Sequence, residues 1–213
     1  MNAPLKIVHE DDCLLAVDKP AGLPVIPARG QAPEPLVAVL AWQGWKLFVV
    51  HRLDRETSGL IVFAKDEQTH RRLCLAFENR QVRKSYLALV QGALEQGGDI
   101  DAPLKEFGSG RVAVSPDGKN SRTRYRVRER LRESTLLQVE PLTGRRHQIR
   151  AHLFSIGHPV LGDRLYGRPR PVGGVSRLML HALALEIPGW PTLRAEPGPD
   201  FMGVLKARAM PEG

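Results

Sequence analysis

A polar turn ending in glycine runs directly into an apolar strand. His51-Arg52-Leu53-Asp54-Arg55-Glu56-Thr57-Ser58-Gly59 is followed by Leu60-Ile61-Val62-Phe63-Ala64. The turn sets one carboxylate, Asp54, between two arginines. Alone, an aspartate beside arginine is a turn cap or a surface ion pair, and Asp54 can cap the Arg55-Glu56-Thr57-Ser58 turn.

The chain has 213 residues, enough for one large domain or two small ones, and 42% are hydrophobic, which supports a sizeable core. No apolar run approaches a membrane span, and Met1-Asn2-Ala3-Pro4 opens no secretory signal, so a soluble cytoplasmic protein is expected. Cys13 and Cys74 form no metal or redox motif and read as small core residues. Net charge is +8, which favours polyanionic partners through counterion release. Arginine dominates in Arg122-Thr123-Arg124-Tyr125-Arg126-Val127-Arg128 and in Gly144-Arg145-Arg146-His147. Residues 122–132 fit a phosphate-binding stripe and a solvated strand face equally well.

Residues 5–8 and 14–17 read as short strands around the acidic turn Glu10-Asp11-Asp12, and 36–42 as a short helix. Asp66 caps a predicted helix running to about Arg80, with His70, Leu73, Cys74 and Phe77 as its buried side. Ser85 to Val90 reads as a strand, residues 94–121 as an irregular excursion, and 122–130 with 135–141 as a strand pair. Thr143-Gly144 opens a predicted helix ending before Gly157. Arg150 lies about 100° round it from Ile149, at the edge of the apolar stripe, where its head can face a cleft. A strand from Leu178 to Ile187 and a Pro/Gly-rich tail follow. Without repeats or low-complexity linkers, one continuous domain over 1–213 is the simplest organisation.

There is no Gly-rich phosphate loop, and His147 and His152 lie five apart, a poor spacing for two ligands on one helical face. No metal or other cofactor is expected. Tyr86, in Arg83-Lys84-Ser85-Tyr86-Leu87-Ala88, reads either as a packed strand tyrosine or as a ring that stacks on a base.

Taken whole, the decamer His51–Leu60 resembles the catalytic motif of the RluA-type pseudouridine synthases, which isomerise uridine within RNA. The segment around Tyr86 is similar to that family's second motif. Pro141-Leu142-Thr143-Gly144-Arg145-Arg146-His147-Gln148-Ile149-Arg150-Ala151-His152-Leu153 is similar to a third. Asp18 to Leu23, Gly157 to Gly167 and Leu178 to Ala182 also resemble family segments, so the likeness covers about residues 7–187. The resemblance implies an α+β fold: a mixed, mainly antiparallel sheet with flanking helices and a central RNA-binding cleft. It makes Asp54 the catalytic carboxylate. It gives Arg150 the task of pairing with that carboxylate, Tyr86 stacking on uracil, Leu180 lining the uracil pocket, and Arg52 entering the RNA stack. Arg145 and His147 become phosphate or loop contacts. Many members carry an N-terminal S4-type RNA-binding domain. Here the catalytic pattern begins within ten residues, so that domain is expected to be absent, which leans towards a compact enzyme acting on tRNA, or on short stem-loops in tRNA and rRNA; a monomer is expected.

Two rival readings remain open. One is an inactive RNA-binding protein of the same fold, although binding alone needs no carboxylate facing a polyanion. The other is a glycosidase, which needs two placed carboxylates. The only acidic neighbour of Asp54 is Glu56, two positions away in the turn.

Overall fold

A computed structural model describes residues 5–27, 34–167 and 174–210. Met1-Asn2-Ala3-Pro4 lies outside them. The chain divides into two compact units, one of Met1–Lys84 with His181–Glu196, the other of Ser85–Leu180 with Pro197–Gly213.

In the first unit the strands run in the order β1 (Lys6–Glu10), β2 (Leu14–Lys19), β4 (Ser58–Ala64), β11 (Leu180–Glu186). The short strands β3 (Phe48–Val49) and β12 (Leu193–Arg194) pair with β4 and β11. All seven residues of β4 are buried, as expected of a central strand. Pairing is antiparallel except between β4 and β11, where His181 lies opposite Ser58 and Ala182 opposite Gly59.

Helices α1 (Leu36–Trp42) and α2 (Glu67–Glu78) belong to this unit. Asp66 caps α2: its carboxylate accepts from the Thr69 amide at 2.8 Å and the Thr69 hydroxyl at 2.7 Å. Leu73 and Ala76 pack on Leu14, Leu60, Val62 and Leu185. The buried row of α2 is therefore Thr69-Leu73-Ala76, whereas His70, Cys74 and Phe77 form a half-buried margin. Cys13 is half-buried too, so neither cysteine is the core residue expected; both are free thiols.

In the second unit β5 (Arg83–Gln91), β10 (Ser134–Pro141), β9 (Arg122–Leu131) and β6 (Gly98–Asp101) form an antiparallel run in that order. The stretch expected to be irregular, 94–121, holds β6 and a hairpin of β7 (Leu104–Glu106) and β8 (Val112–Val114). These strands have three or four residues each, too few for a period of two to stand out. The Pro/Gly-rich tail contains α4 (Pro199–Arg208). Its proline occupies the first turn, where no amide partner is lost, and Phe201, Val204 and Leu205 are buried.

The third helix, α3 (Gln148–Ser155), starts five residues later than expected. His147 adopts a left-handed conformation at φ 53°, and residues 143–147 form a bent turn before it. Among the described residues, no helix is long and apolar enough to cross a membrane.

Gly59 is the tightest point of the first unit. Its φ is +107°, and a Cβ there would lie 2.2 Å from the Ala182 carbonyl oxygen and 2.7 Å from its nitrogen. Parallel pairing of β4 with β11 at this register thus requires glycine. Gly59→Ala should destabilise the protein by on the order of 3 kcal/mol in urea denaturation. A loss under about 1 kcal/mol would mean that the two strands separate at little cost.

Candidate active site

Asp54 opens a tight turn, with its carbonyl accepting from the Thr57 amide at 3.1 Å. Buried anchors hold the turn at both ends. On the near side Lys19, fully enclosed, donates from Nζ to the carbonyls of Pro20 (2.9 Å), Leu23 (2.8 Å) and Arg55 (3.0 Å). The Gly22 amide adds a second bond to the Arg55 carbonyl at 2.9 Å. On the far side the buried Ser58 hydroxyl donates to His181 Nδ1 at 2.9 Å, and His181 Nε2–H donates to the Ala195 carbonyl at 2.7 Å. That direction follows from the carbonyl, which can only accept. Between these anchors Leu53 and Thr57 are buried while Asp54 remains half-exposed.

The arginines flanking Asp54 divide their tasks. Arg55 donates to Glu56 at 2.8 Å in an exposed pair. Glu56 is thereby engaged, which weakens its claim to be a second catalytic carboxylate. Arg52 is exposed.

His51 begins the motif. Its ring stacks on Phe77 at 4.6 Å between centroids, and its Nε2 accepts from the Val62 amide of β4 at 3.1 Å. An edge of the residue stays accessible. Even so, burial of the ring, helped by the charge of Lys84, lowers its pKa from 6.5 to about 3.

In the second unit, Tyr86 is half-buried on β5 opposite Val139. Leu180 is buried at the first position of β11. Arg150 is buried on α3. Its side chain is 8% exposed and its guanidinium grips Asp163, Nε to Oδ2 at 2.7 Å and Nη2 to Oδ1 at 2.9 Å. The start of α3 is stapled by Gln148, whose Oε1 accepts from the Thr143 hydroxyl (2.6 Å) and the Arg145 amide (3.0 Å). Its Nε2 donates to the Arg122 carbonyl (2.9 Å) and the Thr123 hydroxyl (3.0 Å). All four hydrogen-bonding positions of that amide are used. His147 makes a loop contact, with Nδ1 3.1 Å from the Tyr166 hydroxyl.

Two arginines of the arginine strand share one carboxylate. Arg122 donates to Asp99 at 2.6 Å and Arg124 at 2.8 Å, and these bonds, Arg124's first, hold the Asp99 carboxyl well below the usual range. Arg124 and Arg126 alternate with Tyr125, whose strand neighbour Val139 lies opposite Tyr86, so these arginines project from the face away from Tyr86.

The profile of RNA pseudouridylate synthase matches residues 13–155. The chain belongs to that family. Ribosomal large subunit pseudouridine synthase D of Nitrosomonas europaea is 43% identical over 221 residues, covering 95% of this chain and 64% of its own. The protein of the same name from Haemophilus ducreyi is 40% identical over 191 residues, 85% and 59% of the two chains. The chain thus spans about three-fifths of the length of these curated relatives. Human RNA Pseudouridylate Synthase Domain Containing 4 superposes with a TM-score of 0.79 at 27% identity, over 97% of this chain and 95% of that one. Domain Containing 1 gives 0.80 at 25% identity, over 98% and 97%. The α+β architecture of this family is the one expected from the motifs.

Lys19, Ser58, Gln148, His181 and Asp163 are structural members of the motifs whose tasks were not legible beforehand. A lysine in Asp18-Lys19-Pro20 ahead of a glycine turn was the available signal for the first.

The His51 shift sets a pH dependence. Below pH 6.5 the unfolded chain takes up a proton that the folded ring refuses until about pH 3. Stability therefore falls with decreasing pH across this window, by about 2 kcal/mol at pH 5. His51→Gln, which keeps an acceptor for Val62, should lose less stability than the wild type between pH 7 and pH 5 in urea titrations. Equal losses would show that His51 titrates normally.

Proposed function

We propose that this chain isomerises uridine to pseudouridine in RNA, with Asp54 as the catalytic carboxylate. The observation that carries the reading is the Asp54 turn, clamped by buried Lys19 on one side and by Ser58, Gly59 and His181 on the other. A half-exposed carboxylate on so constrained a turn suits a group that must meet a substrate in one orientation.

The reaction breaks the C1′–N1 bond, joins C1′ to C5 of the same uracil, and releases the C5 proton while the freed N1 takes one up. Asp54 acts at the sugar, either by attack on C1′ or by taking a sugar proton on the way to a glycal-like intermediate. Tyr86 stacks on the freed uracil and offers its hydroxyl for proton transfer. Arg150 orients the carboxylate, Leu180 lines the base pocket, and Arg52 fills the stack vacated by the flipped nucleotide. The chemistry calls for no redox carrier, metal or nucleotide energy.

The substrate class is RNA stem-loops in tRNA or rRNA. The names of the bacterial relatives favour ribosomal RNA of the large subunit. A cytoplasmic monomer fits this role. The alternative, an inactive RNA-binding protein of the same fold, is separated by tritium release from RNA labelled at uracil C5. A synthase releases tritium, a binder releases none, and a glycosidase liberates free uracil.

Asp54→Asn should lower turnover by at least about 1,000-fold with fold and RNA affinity nearly intact, because affinity comes mainly from phosphate contacts. Activity within a few fold of wild type would remove Asp54 from the catalytic role. Tyr86→Phe keeps the ring, so binding should survive while single-turnover rates drop at least about tenfold. Full activity in that variant would assign the role to the ring alone.

A further inference from the structure

We infer that Asp163 is a positioning residue for the isomerisation, acting through Arg150. The inference rests on the functional reading above, which places Arg150 in the reaction. Asp163 lies thirteen residues after Arg150, and its side chain is 0% exposed. Its carboxylate receives four donors: Arg150 Nε and Nη2, the Leu165 amide at 2.9 Å and the Tyr166 amide at 3.0 Å. A bidentate pair fixes both the distance and the plane of a guanidinium, which a single contact does not.

The loop that presents Asp163 is itself built to stay still. Gly162 has φ +74°, and a Cβ there would come within 1.9 Å of the Arg177 carbonyl oxygen. The Leu161 amide donates to Leu89 and the Met179 amide to Leu161, both at carbonyls of strand-like neighbours. Tyr166 then closes the arrangement from below. Its ring centre lies 5.1 Å from the Arg150 guanidinium carbon, and its hydroxyl accepts from the Val112 amide at 2.8 Å.

The energetics suit orientation better than stability. Burying a carboxylate and a guanidinium together costs desolvation that their attraction roughly offsets, so an apolar pair of similar shape would serve folding as well. An arrangement that spends a buried bidentate pair, two backbone amides and an aromatic face on one arginine restricts that arginine to one rotamer. The Pro159-to-Gly167 segment is thereby assigned the task of aiming Arg150.

The test compares wild type, Asp163→Asn, Arg150→Met and the double variant in single-turnover assays on one RNA stem-loop, with urea denaturation of each. Asp163→Asn should bind RNA as the wild type does and lose about 100-fold in rate. In the Arg150→Met background the second substitution should change the rate by less than about threefold, because its route is already gone. Losses that multiply, or a folded Asp163→Asn with wild-type rate, would overturn the inference. Should Asp163→Asn fail to fold, NMR of the wild-type Arg150 Nε–H decides. A resolved resonance protected from solvent exchange is expected, and exchange as fast as that of exposed Arg126 would overturn it. Wild type without turnover would overturn the proposed function instead, while the NMR arm still reads whether Asp163 holds Arg150.

Discussion

The enclosed ammonium of Lys19 is the interaction on which the catalytic turn depends. It has no solvent exposure, and its three donors meet three backbone carbonyls, two from its own loop and one from Arg55. Removing an ammonium from water costs several kcal/mol, and charge-assisted hydrogen bonds of about 1.5–3 kcal/mol each offset it only when every one is made. The arrangement is therefore all-or-none. A shift of the Arg55 carbonyl would leave a buried cation short of a partner, so the residue after Asp54 has one place to be. Across the turn, Ser58, Gly59 and His181 impose the same strictness by a different route. There the limit is steric, because two strands approach more closely than any side chain at position 59 allows.

The second unit treats its charges in two contrasting ways. Arg122 and Arg124 share Asp99 at the surface, where water screens the pairs and little stability depends on them. Arg150 and Asp163 are enclosed, and the loss of either would strand the other in a medium that tolerates it poorly. Gln148, at the head of the same helix, satisfies every donor and acceptor it owns. Two turns of helix thus carry one saturated amide and one bidentate ion pair, and rigidity at Arg150 follows from both.

Much of this was legible in the sequence. The apolar run of β4, the Asp66 cap and the strand pair β9–β10 follow from local pattern and capping chemistry, which act over a few residues. Residues 98–114 and 199–208 were not legible. Their strands are too short to show a period, and the proline and glycines of α4 mimic a breaker. The late start of α3 turned on His147 taking a left-handed conformation, a cost that the Gln148 staple and the Tyr166 contact repay only once the fold exists. Asp54, Tyr86, Arg150, Arg52 and Leu180 were nameable from motifs, but their settings were not. That Arg55 turns to Glu56 and Arg150 to Asp163 depends on distances no spacing rule contains.

The central claim is that this chain makes pseudouridine in RNA by means of Asp54. Mapping pseudouridines at nucleotide resolution in total RNA, from cells with and without the gene, tests it most directly. The account predicts that at least one stem-loop site disappears with the gene and returns when the wild-type gene, but not its Asp54→Asn form, is restored. An unchanged map, or a site restored equally by both forms, would contradict it.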